Sequence, residues 1–328
     1  MRGLLEGRNA DPRSPYDEFL DLRGPIGDGQ GAGIAEVALH REVFRQAHRA
    51  VNLNRLGGDA GRHLGGVGLR CGRLPVRIGS RAAEPPFDWG DRSTWAPALH
   101  GVGSVYISYY PDLGAPGAVE AAGSFAKLAV ENRVTRLVLL AGRGEAEAER
   151  AEQAVRESGA DLTVVRATWF SQNFSEGDFL GQVLSGEVTL PAGDMAEPFV
   201  DADDIADVAV AALTEDRHIG ELYELTGPRL LTFAEAVEEI AKATGREIRY
   251  APVSVDEFAS AMAAQNVPGE AIEIFSYLFS EVLDGRNAHL TDGVKRALGR
   301  EPKDFSDFAR DAAATGVWDT ADHGGANS

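Results

Sequence analysis

Apolar runs alternate with amphipathic segments through the middle of the chain. Three runs have the pattern of strands buried on both faces and end in turn residues: "GSVYISYYPDL" (103–113), "TRLVLLAGRG" (135–144) and "DLTVVRA" (161–167). Between the first two, Val119, Ala122, Phe125 and Ala129 recur at helical spacing. A further helix, ended by Gly159, is predicted before the third run. This alternation predicts a parallel sheet with helices on both faces.

After about residue 226 the pattern is mainly helical. Thr232 with Glu235, and Ser254 with Glu257, have capping-box spacing, which satisfies free amides at a helix start. The segment 268–285 predicts another apolar-faced helix. The predicted fold is therefore α/β, a Rossmann-like doubly wound parallel sheet with a smaller, mostly helical C-terminal lobe.

The predicted domains follow from where these patterns begin and end. They are a poorly ordered N-terminal extension at 1–50, the Rossmann-like domain at 51–225, the C-terminal lobe at 226–320 and a disordered tail at 321–328.

The first turn of such a sheet should carry closely spaced glycines that let the backbone approach a pyrophosphate. In "RLGGDAGRHLGGVGLRCG" (55–72), Gly57, Gly58 and Gly61 are the candidates, but G-x-G-x-x-G is absent. Polar residues also interrupt the preceding "VNLNRL" (51–56), which makes it a poor buried strand. We expect a degraded first strand and glycine loop, and its ability to bind pyrophosphate stays open.

Charge is distributed unevenly along the chain. Residues 1–82 hold 13 Arg, no Lys and 9 acidic residues, a balance of +4, whereas the remainder holds 19 basic and 42 acidic residues, a balance of −23. Strand and helix patterns are also lost upstream of Leu74. These features favour the hypothesis that residues 1–73 come from a frameshifted or misannotated gene start, with a natural basic extension as the alternative.

The overall charge of −19 argues against nucleic acid and anionic membranes as partners. Cys71 is the single cysteine and the histidines lack ligand spacing, so neither a disulfide nor a metal site is expected. The sequence has no secretion signal and no run of about 18 apolar residues. We expect a cytoplasmic protein that acts on a small molecule.

Ligands of doubly wound sheets bind at the carboxyl ends of the strands. Ser80 and Arg81 follow the short strand in "LPVRIGSR" (74–81), where a cation can bind an adenosine 2′-phosphate and so select NADP over NAD. A solvated surface arginine is the alternative interpretation.

A second candidate group ends the strand at 161–167. Arg166 is followed by Trp169, Phe170 and Asn173, and aromatic rings with an amide at a strand end can form the wall of a pocket for a flat ring. Ordinary core packing of these aromatic rings is the alternative.

Several blocks of sequence in a fixed order carry a family resemblance. They include "PPFDWGDRSTWAPAL" (85–99), "VVRATWFSQNFSEG" (164–177), "EPFVDADDIADVAVAALTED" (197–216) and "DFSDFARDAAATGVW" (304–318). The chain resembles the NmrA-like branch of the atypical short-chain dehydrogenases, most closely the festuclavine-dehydrogenase-like group and its bacterial relatives, from Phe87 to Trp318. It departs from that group at its start, where members carry a T-G-x-T-G loop within a few residues of the N-terminus.

The resemblance implies that the Rossmann-like domain binds NADP or NAD and that the C-terminal lobe binds substrate. It matches Ser80 and Arg81 to the adenosine-phosphate end, Tyr110 and Pro111 to the turn after the middle strand, Ala141 and Gly142 to the turn beside the nicotinamide ribose, and Trp169, Phe170 and Asn173 to the nicotinamide and substrate wall. Arg166 is predicted to contact the cofactor and Tyr277 the substrate. Asp201 and its acidic neighbours resemble a helix cap.

None of the seven tyrosines has a lysine four residues later, so the Tyr/Lys acid pair of ordinary short-chain dehydrogenases is missing. Hydride transfer to an activated acceptor, an iminium or quinone-like ring, needs positioning more than proton donation. Glu152 is the one polar candidate near the active face, but a solvated helix carboxylate is the favoured interpretation, and no catalytic residue is assigned. A non-catalytic NADP sensor that regulates a protein partner, and a relic without cofactor binding, are the alternatives to an oxidoreductase.

Overall fold

Parallel strands dominate the computed structural model, which describes residues 33–38, 76–81 and 83–320, and only the backbone of 33–38, Val76 and Ile78. The strands in these ranges are Gly33–Ala38 (β1), Val76–Ile78 (β2), Val102–Ser108 (β3), Arg136–Gly142 (β4), Asp161–Ala167 (β5), Glu187–Leu190 (β6), Ala196–Glu197 (β7), Leu222–Leu225 (β8), Leu231–Thr232 (β9) and Arg249–Pro252 (β10).

The α-helices of the same ranges alternate with the first strands and then dominate the C-terminal part. They are Trp95–Leu99 (α1), Ala118–Glu131 (α2), Ala146–Arg156 (α3), Leu180–Ser185 (α4), Ala202–Thr214 (α5), Phe233–Thr244 (α6), Val255–Ala264 (α7), Gly269–Tyr277 (α8), Gly293–Leu298 (α9) and Phe305–Ala314 (α10).

A six-stranded sheet has the order β2-β1-β3-β4-β5-β8, and all of its pairings are parallel. Two small ladders, β6 with β10 and β7 with β9, lie outside it. Successive residues of β4 face opposite sides of the sheet: Leu137 and Leu139 pack with α2 and α3, whereas Val138 and Leu140 pack with α5. Burial on both faces explains the uninterrupted apolar runs. The predicted Rossmann-like α/β fold is confirmed.

The first strand of the sheet differs from the expected one. The segment 51–56 lies outside the described residues, and Gly33–Ala38 occupies the place between β2 and β3. This strand falls in the range that the sequence analysis gave to the N-terminal extension. The domain limits at 50, 225 and 320 stay predictions.

An aromatic core fills the C-terminal part. Phe174, Phe199, Phe233 and Phe305 are buried, and their ring centroids lie 5.0–6.3 Å apart in the contacting pairs. Mostly edge-to-face contacts of this kind add specific geometry to the burial of apolar area.

The predicted helix starts are present. Both capping boxes form, with Thr232 at α6 and Ser254 at α7, and the Asp201 carboxylate caps α5 by accepting the Asp203 amide. The helix predicted at 268–285 is α8 followed by a π-helical turn, Leu278–Val282, so the helix widens directly after Tyr277.

Candidate functional site

The carboxyl ends of the parallel strands form one edge of the sheet. β1 lies between β2 and β3, so the strand order reverses there, and ligands of doubly wound sheets bind outside the strand ends at this switch point. The predicted glycine-loop residues Gly57, Gly58 and Gly61 lie outside the described residues. The remaining predicted site residues lie in or after β2, β3, β4 and β5, or at the end of α8.

The turn after β2 is fixed by its backbone. The Ser80 carbonyl accepts the amides of Ala83 at 3.1 Å and Phe87 at 2.9 Å, and the Phe87 ring is fully buried. Arg81 is exposed. A cation is therefore held at the solvent side of this strand end, where an anionic group can reach it.

The turn after β3 contains a buried hydroxyl with spare hydrogen-bonding capacity. Ser108 is 1% exposed, and its Oγ has no hydrogen-bond partner in the described part of the chain. Tyr109 packs against Trp89 with ring centroids 4.8 Å apart, whereas Tyr110 is 55% exposed and Pro111 is also exposed. Buried polar atoms are normally paired, so an unpaired hydroxyl at a strand end is consistent with a ligand there.

The turn after β4 holds a carboxyl group that the sequence analysis missed. Ala141 is buried, and a Cβ on Gly142 would overlap the Glu145 carboxyl, so glycine is required for this arrangement. Glu145 is 5% exposed, and no hydrogen bond from the described residues reaches its Oε2.

Glu145 meets two groups from other elements near Gly114. A Cβ on Gly114 would lie 2.9 Å from Asp112 Oδ1, 3.3 Å from Glu145 Oε2 and 3.7 Å from Tyr277 Cε1. Asp112 Oδ1 already accepts the Gly114 amide at 2.6 Å. The structure thus brings the predicted residue Tyr277 to the turns after β3 and β4, beside two unpredicted carboxyl groups.

This environment changes the acidity of the groups. Burial, followed by the charge of Asp112 and a hydrogen bond with it, raises the pKa of the Glu145 carboxyl well above its usual range. Burial, followed by the charges of Glu145 and Asp112, raises the pKa of Tyr277. Both groups therefore favour their protonated forms.

Arg166 lies beneath α3 in an ion network. Its Nε and Nη2 donate to the two Glu152 oxygens at 2.7 and 2.8 Å, and its Nη1 lies 3.3 Å from both Glu149 and Glu224. The prediction of a solvated Glu152 is wrong: this residue is 4% exposed, because a cation within a buried strand needs a buried partner. Cofactor contact by Arg166 stays a prediction.

The predicted aromatic wall is partly built into the core. Trp169 contacts Phe233 and Phe279 with centroid distances of 5.5 and 5.0 Å, yet remains partly exposed. Phe170 is also partly exposed and pairs with Val200 through an isolated bridge. Both packing and lining roles are thus open to Trp169.

Asn173 is half-buried directly after these rings, in the turn Ser171–Phe174. None of the described hydrogen bonds uses its side-chain amide, although its backbone carbonyl accepts the Phe179 amide at 3.1 Å. Within the described part of the chain, the Asn173 side-chain amide is thus able to bind a ligand.

A buried guanidinium ties this edge to the C-terminal part. Arg143 is 4% exposed and donates to the carbonyls of Asn287 at 3.0 Å and His289 at 3.2 Å. The Asn287 amide returns a 2.9 Å hydrogen bond to the Arg143 carbonyl. The sequence signal for this contact is weak, because the partners are more than a hundred residues apart.

Two general findings bear on the site. Among the described residues, no α-helix combines the length and apolarity that crossing a bilayer would require. The same ranges contain no group of three or more His, Cys, Asp or Glu side chains arranged to hold a metal ion.

Comparison with known proteins identifies the family of the chain. A model of the NmrA-like family matches residues 146–308. Agroclavine dehydrogenase of Claviceps fusiformis is 30% identical over 280 residues, covering 78% of this chain and 96% of that protein. The uncharacterized oxidoreductase YesF of Bacillus subtilis is 32% identical over 257 residues, covering 74% and 89% respectively.

A solved structure adds evidence on the fold alone. The NADPH-dependent quinone oxidoreductase QOR2 of Escherichia coli, in complex with NADPH, has a TM-score of 0.66 at 17% identity and covers 84% of this chain and 98% of its own. The resemblance found in the sequence is confirmed. With its parallel sheet, its reversed strand order and relatives at 30% identity or more over most of its length, this chain belongs to the NmrA-like family of NAD(P)-binding oxidoreductases with a Rossmann-like fold.

Proposed function

We propose that this protein transfers a hydride from NADPH to a small activated acceptor, an iminium or quinone-like ring. One observation carries the proposal: the buried Ser108 hydroxyl keeps unused hydrogen-bonding capacity at the strand end beside the switch point. An unpaired buried group at that edge favours a polar ligand, and family membership supplies its class.

The turns of this edge fit the parts of a dinucleotide. Arg81, with Ser80, would hold an adenosine 2′-phosphate, because a guanidinium binds phosphate with paired hydrogen bonds. Tyr110 and Pro111 would lie along the middle of the ligand. Ala141 and Gly142 would flank the nicotinamide ribose, where glycine allows close approach of the backbone. The bound cofactor supplies the hydride.

The acceptor would lie between the nicotinamide end and the C-terminal lobe. Trp169 and Phe170 offer partly exposed rings, and no hydrogen bond within the described part of the chain uses the side-chain amide of Asn173. Such a pocket positions a flat ring and excludes water, which is what hydride transfer to an activated acceptor needs. The quinone oxidoreductase bears the name of one acceptor type of this kind.

Thermal unfolding with and without NADPH tests the first half of the proposal. A ligand at 100 times its dissociation constant contributes about 2.7 kcal/mol, so saturating NADPH should raise the melting temperature measurably. No shift at millimolar NADPH would contradict cofactor binding and favour the relic. Binding without NADPH oxidation, against panels of iminium ions and quinones, would contradict catalysis and favour the sensor.

Arg81→Met tests the cofactor choice. Loss of a charged hydrogen bond costs about 1.5–3 kcal/mol, or roughly tenfold to a hundredfold in affinity, so NADPH binding should weaken by that factor and NADH binding should not. Arg310→Met, an exposed arginine on α10, is the matched control and should change neither affinity. Equal weakening of both cofactors by Arg81→Met would contradict the assignment.

A further inference from the structure

Two carboxyl groups and a phenol meet between the turns after β3 and β4, and the proposed hydride transfer uses none of them. We propose that the pair formed by Asp112 and Glu145, beside Tyr277, is a proton-donating site, and that Glu145 delivers the proton which reduction of a quinone-like acceptor requires. The proposal rests on the proposed function and adds a substrate requirement to it.

The carboxyl groups of Asp112 and Glu145 border the same small space beside Gly114. Glu145 Oε2 and Asp112 Oδ1 both lie within 3.3 Å of one point, the place of a Cβ on Gly114. Glu145 is only 5% exposed, and no donor among the described residues forms a hydrogen bond with its Oε2. Two bare carboxylates close together in a desolvated site repel each other, which favours a proton on Glu145 and agrees with the direction in which its pKa is raised.

Two arginines lie on the neighbouring segments, and both are bound elsewhere. Arg286 donates to the Gly144 carbonyl at 3.2 Å and pairs with Asp284 at 2.7 Å. Arg143 lies 3.5 Å from Glu224 and donates to two carbonyls. Neither forms an ion pair with the acids in the described part of the chain, so no cation there replaces the proton on Glu145.

The other charged groups near the site come from α3 and α8. Tyr277, at the end of α8, adjoins the pair. The charge of Arg286 lowers the pKa of Tyr277, and the charge of Glu147, at the start of α3, raises it. Gly142 and Gly114 leave space for the Glu145 carboxyl. A Cβ on residue 142 would overlap it, and a Cβ on residue 114 would lie 3.3 Å from its Oε2.

The chemistry separates the two acceptor classes. A quinone that accepts a hydride from the nicotinamide gains two electrons and one proton, and needs one more proton on the second oxygen to become a hydroquinone. In our proposal the Glu145 O–H bond breaks, the new O–H bond forms on the acceptor, and solvent reprotonates the pair through the less buried Asp112. An iminium ion becomes a neutral amine on hydride addition alone and needs no proton.

Infrared difference spectroscopy tests the pair without turnover. The infrared spectrum of the ligand-free wild type at pH 7, minus that of Glu145→Gln, should show a protonated-carboxyl stretch. Glutamine keeps the size of the side chain and removes the acid. Glu157→Gln, an exposed carboxylate at the end of α3, is the matched control and should keep the band. A difference spectrum without the band would overturn the protonated state of Glu145.

Kinetics test the role. General acids contribute about 100-fold to 10,000-fold, so Glu145→Gln should lower the ratio of kcat for quinones to kcat for an iminium acceptor at least about a hundredfold. Asp112→Asn should shift the basic limb of the quinone pH profile to lower pH, because it removes the charge that raises the pKa of Glu145. Equal losses for both acceptors, or none, would overturn the proposal. Absence of all turnover in the wild type, with the infrared band present, would instead overturn the proposed function and its proton-donating role.

Discussion

Replacing Arg166 by methionine separates a structural role of this residue from a role in cofactor binding. The guanidinium donates to both Glu152 oxygens at 2.7 and 2.8 Å, and the two side chains are 17% and 6% exposed. Methionine keeps much of the aliphatic volume and removes the charge. Glu152 would then remain as a buried carboxylate without its cation.

The expected cost follows from that burial. Removing one partner of a buried ion pair costs about 3–5 kcal/mol, because the other charge stays desolvated. The 53% and 31% exposed side chains of Glu149 and Glu224 can turn to water, so their loss of Arg166 adds little. We expect Arg166→Met to lower the free energy of unfolding by about 3 kcal/mol. The double variant with Glu152→Gln should recover a large part, since the amide carries no charge.

Urea unfolding followed by tryptophan fluorescence measures this cost, and NADPH titration measures the affinity. Arg249→Met is the control, because its 2.6 Å pair with Glu187 joins side chains that are 70% and 47% exposed. We expect it to cost under about 1 kcal/mol. A tenfold weaker NADPH affinity in Arg166→Met, at unchanged stability, would refute the structural assignment and support the contact predicted from sequence.

Three further changes have expected outcomes. Gly142→Ala would displace the Glu145 carboxyl, because the added Cβ would overlap it. We expect this change to lower stability in thermal unfolding by about 1–3 kcal/mol and to remove the protonated-carboxyl infrared band. An unchanged band would contradict the close packing of Glu145 against Gly142. Because the folded state raises the pKa of Glu145, it holds this proton more tightly than the unfolded state, so the free energy of unfolding should fall as pH rises above about 4.3. Urea unfolding at about pH 5 and pH 8 should show a smaller fall in Glu145→Gln, and an identical fall would count against the raised pKa. Thr232→Ala removes a capping box and should cost about 1 kcal/mol in thermal unfolding, whereas the exposed substitution Thr315→Ala should cost less.

The central strands could be predicted because burial on both faces leaves a local mark. β3, β4 and β5 are continuous apolar runs in the sequence, and their neighbours on both sides are buried helices. β1 leaves no such mark, since "GIAEVA" carries Glu36 within six residues. Its position follows from backbone pairing with two strands that lie about 40 and 70 residues further along the chain, and loop closure over such lengths has no local sequence pattern.

Glu145 and Glu152 show where sequence reasoning about the site succeeds and where it stops. Both belong to a segment rich in glutamate, which is typical of a solvated helix start. The burial of Glu145 depends on Asp112 and Tyr277, which lie 33 residues before it and 132 residues after it, so the local sequence carries no signal of it. Glu152 does have a signal: Arg166 interrupts an apolar strand, a desolvated guanidinium requires an anion, and the preceding helix offers carboxylates 14 and 17 residues earlier in the chain. A charged residue inside a predicted buried strand is therefore better used to search for its ion partner before it is assigned to a ligand.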